Sequence, residues 1–236
     1  VDAVIALHVD GALETGRSIA DEGWVDAAVD SFKAYVTGAG GHCAFPHQAI
    51  DPIWLATHVL NALYTLPSRR LDPLQPSIIS VGVIRGGTAD NVIPQAVYLE
   101  GTLRSYDDGV REQLIQEVEN ALRLARSFGG DYELQVIRGY PAGYNDPLVA
   151  SWLRQVGSNL LGPNSLASGQ RSMGAEDFSY MTQLAPGAMF SLGVRRPGAA
   201  SRYLHTATFD IDEDALPIGA AILAETALRF VHREWA

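Results

Sequence analysis

The chain has 236 residues, of which 47% are hydrophobic and 19% are charged, so it can bury a sizeable core and does not have the composition of a disordered segment. Its formal net charge of -10 argues against nucleic acid as a main partner, because phosphate binding needs a basic face. No apolar run approaches the roughly eighteen residues of a membrane span, which argues against a membrane role, and the single cysteine, Cys43, favours a reducing, cytoplasmic compartment.

The first predicted element is an apolar run over residues 1–9. A continuous run of this kind is typical of a strand buried on both faces in a parallel sheet, and it predicts that His8 stands at the end of that strand. Such a strand needs neighbours, which we expect to lie upstream in a longer protein. A polar, glycine-punctuated connection follows, with a short strand predicted over 17–20.

The middle of the chain predicts an alternation of strands and helices. Asp51 suits the N-cap of its first helix, Pro52 suits the first turn, and Pro67 marks the expected end. The order of elements is strand, helix, strand, strand, helix, strand, which is the ferredoxin-like arrangement. The predicted strands cover 31–36, 77–84, 96–104 and 132–137. The first predicted helix covers 53–66. The second is capped by Asp107 and Asp108 and ends at Gly129 and Gly130.

Beyond Gly139 the pattern changes to helices that alternate with an apolar strand, which indicates an α/β domain. We expect a helix that begins at Asp146 and Pro147, a short helix over 176–183, a strand over 188–194 and a final helix over 214–231. The sequence therefore predicts a partial α/β catalytic domain with an inserted ferredoxin-like (βαββαβ) domain. The predicted boundaries are 1–27 and 140–236 for the α/β domain and 28–139 for the insertion.

Several residues suit chemistry, although each taken singly also has a plain structural explanation. His42 and His47 follow a glycine-rich strand end, and histidine is the side chain most easily tuned near neutral pH. Either one could instead cap the following helix or pack on a neighbouring ring. The same ambiguity between a functional and a structural role holds for His8, Asn91, Arg104, Glu176 and His205.

Other catalytic patterns are missing from the sequence. It contains no GxSxG nucleophile elbow and no Walker loop. His42 and Cys43 are adjacent in sequence, whereas the partners of a Cys/His nucleophile pair meet through the fold. Serine and cysteine hydrolase chemistry is therefore not indicated.

Taken as an ordered set, the motifs resemble the family of dinuclear metal-dependent amidohydrolases and carboxypeptidases, which includes hippurate hydrolase, aminoacylase and indole-acetyl-amino-acid hydrolase. The resemblance covers nearly the whole chain, and it is the order of the pieces that makes it specific. The pieces are Leu7-His8-Val9, Gly38-x-Gly40-Gly41-His42-x-Ala44-x-Pro46-His47 with Asp51-Pro52, Gly86-Gly87, Asn91-Val92-Ile93-Pro94, Gly101-Thr102-x-Arg104, Gly174-Ala175-Glu176-Asp177-Phe178, and Leu204-His205 with Phe209.

The resemblance implies an α/β catalytic domain with two divalent metal ions, zinc, cobalt or manganese, and a ferredoxin-like lid that forms a homodimer. It implies that His8 and His205 are metal ligands. It implies that His42 reaches the partner subunit's active site and polarises the scissile carbonyl. By the same resemblance, Asn91 and Arg104 hold the substrate, most simply through its carboxylate.

The resemblance also implies that the other metal ligands and the general base lie upstream of the His8 strand. Two histidines cannot fill a zinc site, which needs about four ligands. We therefore expect metal-dependent hydrolysis of N-acyl amino acids or small peptides by a longer or two-piece protein, of which this chain alone is inactive. The alternative is a catalytically inactive dimerisation or binding fragment that retains the lid; a ferredoxin-like sensor would leave His8 and His205 unexplained.

Overall fold

The computed structural model describes residues 1–169 and 171–234. The strands are β1 (Val4–Glu14), β2 (Ser18–Ile19), β3 (Gly23–Asp26), β4 (Ala28–Thr37), β5 (Gly41–His42), β6 (Ser77–Gly86), β7 (Val92–Ile93), β8 (Ala96–Ser105), β9 (Asp131–Arg138), β10 (Gly143–Asn145) and β11 (Gly187–Arg195). The helices are α1 (Pro52–Arg70), α2 (Asp108–Leu122), α3 (Leu124–Ser127), α4 (Pro147–Leu161), α5 (Ser179–Thr182) and α6 (Ala215–Val231), with short 3-10 turns at Pro46–Gln48 and Pro163–Ser165.

The chain divides into two compact units. The first unit comprises Val1–Asp26, Gly143–Ser172 and Glu176–Ala236, and the second comprises Ala27–Ala142 with Met173–Ala175. Along the chain, the long segment of the second unit is therefore flanked by segments of the first. No helix in the described part of the chain is both long and apolar enough to cross a bilayer.

The second unit is built on an antiparallel sheet with the strand order β6-β8-β4-β9. Its elements follow the order strand, helix, strand, strand, helix, strand, so the predicted ferredoxin-like arrangement and the α/β fold class are confirmed. Alternate residues of β4, from Phe32 through Ala34 to Val36, are buried, as expected for a sheet with one covered face. On the other face, the rings of Tyr35 and Tyr98 lie 5.1 Å apart.

The helices of the second unit begin where the capping residues indicate. The Asp51 carboxylate accepts the backbone N–H of Ile53 at 2.9 Å, and Asp107 accepts that of Val110 at 2.9 Å. Helix α1 does not end at Pro67 as predicted but continues to Arg70. Its last residue is held by α2, because the Gln113 side-chain amide donates to the Arg70 carbonyl at 2.6 Å and Arg70 Nε donates to Glu117 at 3.0 Å. These contacts outweigh the missing proline N–H near the helix end.

The first unit contains a small sheet with the order β1-β11-β2, in which β1 and β11 are parallel. Helices α4 and α6 contribute to its core, which includes Trp152, Phe190 and Ile222, and the Trp152 and Phe230 rings lie 5.4 Å apart. The Asp146 carboxylate caps α4 by accepting the N–H groups of two residues in its first turn. Strands β3 and β10 form a separate antiparallel ribbon that the sequence did not predict.

Strand β1 corrects the expectation for the first apolar run. It extends to Glu14, so His8 lies in its middle and not at its end. Its residues are mostly half-buried, and among the described residues it forms a hydrogen-bonded strand pair with β11 alone. The expected burial on both faces is therefore not observed, because β1 has one paired edge and partly open faces.

Candidate functional site

His8 on β1 is positioned by its own backbone. Its Nδ1 lies 2.8 Å from the carbonyl oxygen of Val9, and because a carbonyl can only accept, Nδ1 carries a proton. In the neutral imidazole this leaves the lone pair on Nε2, which lies 3.9 Å from Oε2 of Glu176. A backbone hydrogen bond on one ring nitrogen is also common in metal-ligating histidines, because it leaves the other nitrogen with its lone pair.

Asp26, at the end of β3, joins His8 and Glu176 in one electrostatic cluster of the first unit. The pKa of its carboxyl is raised to about 6, first because burial disfavours the charged form and second because Glu176 is also negative, while His8 acts in the opposite direction. Asp26 was not predicted as a site residue, because a single acid in a four-residue strand carries no recognisable sequence signal.

The ribbon that carries Asp26 is hydrogen-bonded to β11 through Asn145. The buried amide of Asn145 on β10 donates to the carbonyls of Asp21 and Met189 at 2.8 and 2.9 Å and accepts the Met189 N–H at 2.9 Å. A small cleft lies between these elements, with Asp26, Asn145 and Glu176 among its lining residues. The satisfied buried amide of Asn145 therefore joins β10 to β11 and to the segment before β3.

His205 lies in the exposed loop before α6, in a left-handed backbone conformation with φ of 61°. A non-glycine residue in this region is uncommon and is found preferentially at functional sites. No hydrogen bond or ion pair joins His205 to His8 within residues 1–169 and 171–234. The structure therefore brings His8 together with Glu176 and Asp26, but it does not bring His205 into that cluster.

The fit of these residues to a two-metal centre is incomplete. Imidazole and carboxylate are suitable donor types for zinc and manganese. However, the described residues contain no group of three or more His, Cys, Asp or Glu side chains arranged to hold a metal ion. The residues present do not by themselves fit the centre that the resemblance implies.

The second unit holds a separate groove around His42. Strand β5 pairs with β7, so that His42 lies opposite Val92, and the Cys43 N–H donates to the Asn91 carbonyl at 3.0 Å. The structure thus brings two predicted site residues, His42 and Asn91, to one open groove of about 390 Å³. Gly40 is required there, because a Cβ would lie 2.7 Å from the Ile93 carbonyl oxygen.

The backbone that follows His42 determines which of its two ring nitrogens carries the proton in the neutral imidazole. The backbone N–H of Ala44 donates to Nδ1 of His42 at 3.0 Å, so Nδ1 is an acceptor. The neutral imidazole then carries its proton on Nε2, and this nitrogen is free to donate. His42 is therefore prepared as a hydrogen-bond donor to a carbonyl or oxyanion.

Aromatic rings continue beyond His42 on the same loop. Phe45 is 51% exposed as a residue, and its ring lies 5.7 Å from the His42 ring and 6.4 Å from the His47 ring. His47 does not line the groove, and its Nε2 lies 3.4 Å from the side-chain amide of Gln48. Of the two histidines in the glycine-rich stretch, only His42 faces the groove.

Arg104 occupies a different place in the second unit. It lies on β8 opposite Val29 and Ile78, and its Nη1 is 3.4 Å from the Met173 carbonyl oxygen. It is not among the residues that line the His42 groove. The structure therefore does not group Arg104 with His42 and Asn91.

Comparison with known proteins shows which families the chain is similar to. The profile of a peptidase dimerisation domain matches residues 28–125, which cover most of the second unit. Thermostable carboxypeptidase 1 of Saccharolobus solfataricus is 34% identical over 99% of this chain and 59% of its own length. IAA-amino acid hydrolase ILR1-like 4 of Arabidopsis thaliana is 33% identical over 98% of the chain and 54% of its own length.

Two solved structures of related description have folds similar to that of this chain. The crystal structure of a putative aminohydrolase from methicillin-resistant Staphylococcus aureus superposes with a TM-score of 0.87 and 28% identity, over 98% of this chain and 59% of that one. A Bacillus subtilis protein, described as a dinuclear metal binding peptidase from the M20 family, shares the fold with a TM-score of 0.79 and 24% identity, over 98% of this chain and 58% of that one.

The domain profile and the curated relatives confirm the resemblance seen in the motifs, which is to the family of metal-dependent amidohydrolases and carboxypeptidases. The chain spans 59% or less of the length of these relatives.

Proposed function

We propose that the protein to which this chain belongs is a metal-dependent amidohydrolase that cleaves the amide bond of N-acyl amino acids or small peptides. The observation that carries the proposal is His42, held as an Nε2–H donor in a groove that it shares with Asn91. The family membership supports it, because relatives with about one-third identity include a carboxypeptidase and an amino acid hydrolase.

In this proposal the residues of the chain have separate tasks. His8 and His205 are ligands of two divalent ions, zinc, cobalt or manganese, together with ligands that the described residues do not supply. Asn91 and Arg104 hold the substrate carboxylate. His42 donates its Nε2 proton in a hydrogen bond to the scissile carbonyl, and this bond strengthens as negative charge develops on the oxygen.

The proposal includes a homodimer formed through the ferredoxin-like lid, with His42 serving the partner subunit's active site. The match of residues 28–125 to a peptidase dimerisation domain supports this assembly. A cytoplasmic location remains a prediction from the single cysteine, and small substrates, rather than nucleic acid or membrane, remain the proposed partners.

The test is the pair of variants His42→Ala and His47→Ala in the complete polypeptide that contains these residues. We expect His42→Ala to lower kcat by about 100-fold or more, which is typical for loss of an oxyanion donor, and to leave the bound metal unchanged. His47→Ala is the matched control and should retain near-normal turnover. Loss of metal from the His42 variant, or equal loss of activity in both, would show that His42 is misassigned.

A second candidate is a catalytically inactive dimerisation or binding fragment. It is favoured by the absence of any metal-holding group of three or more side chains among the described residues. Titration of the chain with Zn²⁺ separates the two. Tight binding of two ions per chain, with hydrolysis of N-benzoylglycine, excludes the inactive fragment, whereas a stable dimer that binds no metal supports it.

A further inference from the structure

We propose that Gly11 on β1 is a positioning residue for His205, because its missing side chain lets the backbone of the His205 loop lie directly on the strand. The His205 loop is defined here as residues 196–214, between β11 and α6. The inference rests on the proposed function, in which His205 serves the reaction. It goes further by naming the residue that fixes the place of this histidine.

The contact at Gly11 joins the backbone of the loop to the strand. Gly11 is buried, and a Cβ on it would overlap the carbonyl oxygen of Arg202 and lie 3.5 Å from a ring carbon of Phe209. These two residues precede and follow His205, so both arms of the loop meet β1 at one point. A main-chain carbonyl cannot swing aside as the end of a side chain can. A methyl group at position 11 must therefore displace the loop by roughly 1 Å.

Strand β1 is irregular at the point where the loop meets it. The regular pairing of β1 with β11 ends at Asp10 and resumes at Glu14 after a shift of register. Gly11 is the first residue beyond the regular pairing. Glycine within a strand often marks a bulge or a place where another backbone comes close, and Gly11 shows both features. Because Gly11 lies three residues beyond His8, one strand carries His8 and supports the loop of His205.

Hydrogen bonds within the loop keep its shape once it lies on the strand. The Thr206 hydroxyl donates to the Tyr203 carbonyl at 2.9 Å, and the Phe209 N–H donates to the Thr206 carbonyl at 3.1 Å. His205 has a φ of 61°, a left-handed value that is strained in a residue with a Cβ. Such a conformation persists only where the surroundings impose it. We therefore expect a displaced loop to release His205 into an ordinary backbone conformation and to move its imidazole.

The first test is kinetic and uses the complete polypeptide that contains this chain, with N-benzoylglycine as substrate. Gly82→Ala is the control for Gly11→Ala, since Gly82 also lies at a shift of register, on β6, but a Cβ there would meet no atom within 4 Å. Gly11→Ala should lower kcat by about 100-fold, the effect expected of a small misplacement at a reaction site. It should leave KM nearly unchanged, because the proposed carboxylate contacts belong to Asn91 and Arg104. Gly82→Ala should retain near-normal kcat and KM.

The second test follows the conformation of residue 205 without turnover, through thermal unfolding in the presence of EDTA. His205→Gly should unfold about 2–4 °C above His205→Ala, because glycine enters the left-handed region without strain. In the Gly11→Ala background this difference should vanish or reverse, since the loop no longer imposes the conformation and glycine otherwise destabilises. The Gly82→Ala background should preserve it.

The two tests separate the inference from the function on which it rests. If wild-type protein does not hydrolyse N-benzoylglycine but the difference between the two His205 variants depends on Gly11, the proposed function fails and the positioning by Gly11 stands. A normal kcat in Gly11→Ala, or the same difference between the His205 variants in every background, overturns the inference. Equal unfolding temperatures of the two His205 variants in the wild-type background also overturn it, even if Gly11→Ala does not fold.

Discussion

Two histidines of this chain are set to opposite tautomers by single backbone groups. Nδ1 of His8 donates to the Val9 carbonyl, which leaves Nε2 as a lone-pair donor, and Nδ1 of His42 accepts from the Ala44 N–H, which leaves Nε2 as a proton donor. The first arrangement suits metal ligation and the second suits polarisation of a carbonyl. The motif order identified both residues, but their tautomers depend on backbone geometry that the sequence does not display.

Asp26 gives a prediction for pH dependence at the residue scale. Its carboxyl has a pKa of about 6 in the folded chain against 3.8 without the surrounding structure, so the unfolded chain releases its proton first as the pH rises. The free energy of unfolding should therefore fall between about pH 4 and pH 6. After allowance for solvent screening, this loss is about 1–2 kcal/mol.

The substitution Asp26→Asn mimics the protonated side chain and should remove this loss. Urea unfolding in the presence of EDTA, at pH 3.5 and at pH 7, is the measurement. The variant should gain about 1–2 kcal/mol over wild type at pH 7 and little at pH 3.5. Asp2→Asn, at an exposed position, is the control, and an Asp26 variant that behaves like it would show that burial does not raise the pKa of Asp26.

At the scale of elements, the long amphipathic segments were predictable and the short pairings were not. The capping aspartates Asp51 and Asp107 and the buried helical stripes located α1 and α2 from the sequence alone. Strands β3 and β10 escaped prediction, because each has four residues or fewer and the two pair across a long stretch of chain. Pro67 misled the prediction, because tertiary packing extends α1 beyond it.

One buried ion pair joins two elements of the ferredoxin-like unit. Asp30 on β4 is 1% exposed and accepts two hydrogen bonds from Arg111 on α2, at 2.8 and 2.6 Å, and one from the Gly139 N–H at 3.1 Å. Asp30→Ala leaves the Arg111 charge without its partner. We expect the free energy of unfolding to fall by about 3–5 kcal/mol.

The control for this prediction is a pair in the same unit that is open to water. Asp131 pairs with Arg126, and both side chains are more than half exposed. Asp131→Ala should cost less than about 1 kcal/mol. Urea unfolding of both variants is the measurement, and similar costs for the two would mean that the Asp30 pair does not hold β4 to α2.

At the scale of the whole molecule, the order of elements was sufficient to predict the ferredoxin-like arrangement within an α/β chain, and the structure confirms it. The grouping of His42 with Asn91 follows from a pairing of β5 with β7 that neither short segment reveals in its sequence. The approach of Asp26 to Glu176 is equally hidden, because it depends on tertiary packing. Motif order thus identified the family, whereas the electrostatic environment of the candidate site residues depends on the folded structure.

The chain spans 59% or less of the length of its curated relatives, so its activity has to be tested in the complete polypeptide that contains it. The proposed metal-dependent hydrolysis is tested by the rate of N-benzoylglycine hydrolysis before and after metal removal. We expect turnover that a chelator abolishes and that added Zn²⁺, Co²⁺ or Mn²⁺ restores. Turnover that survives complete metal removal, or no turnover in metal-loaded protein, would contradict it.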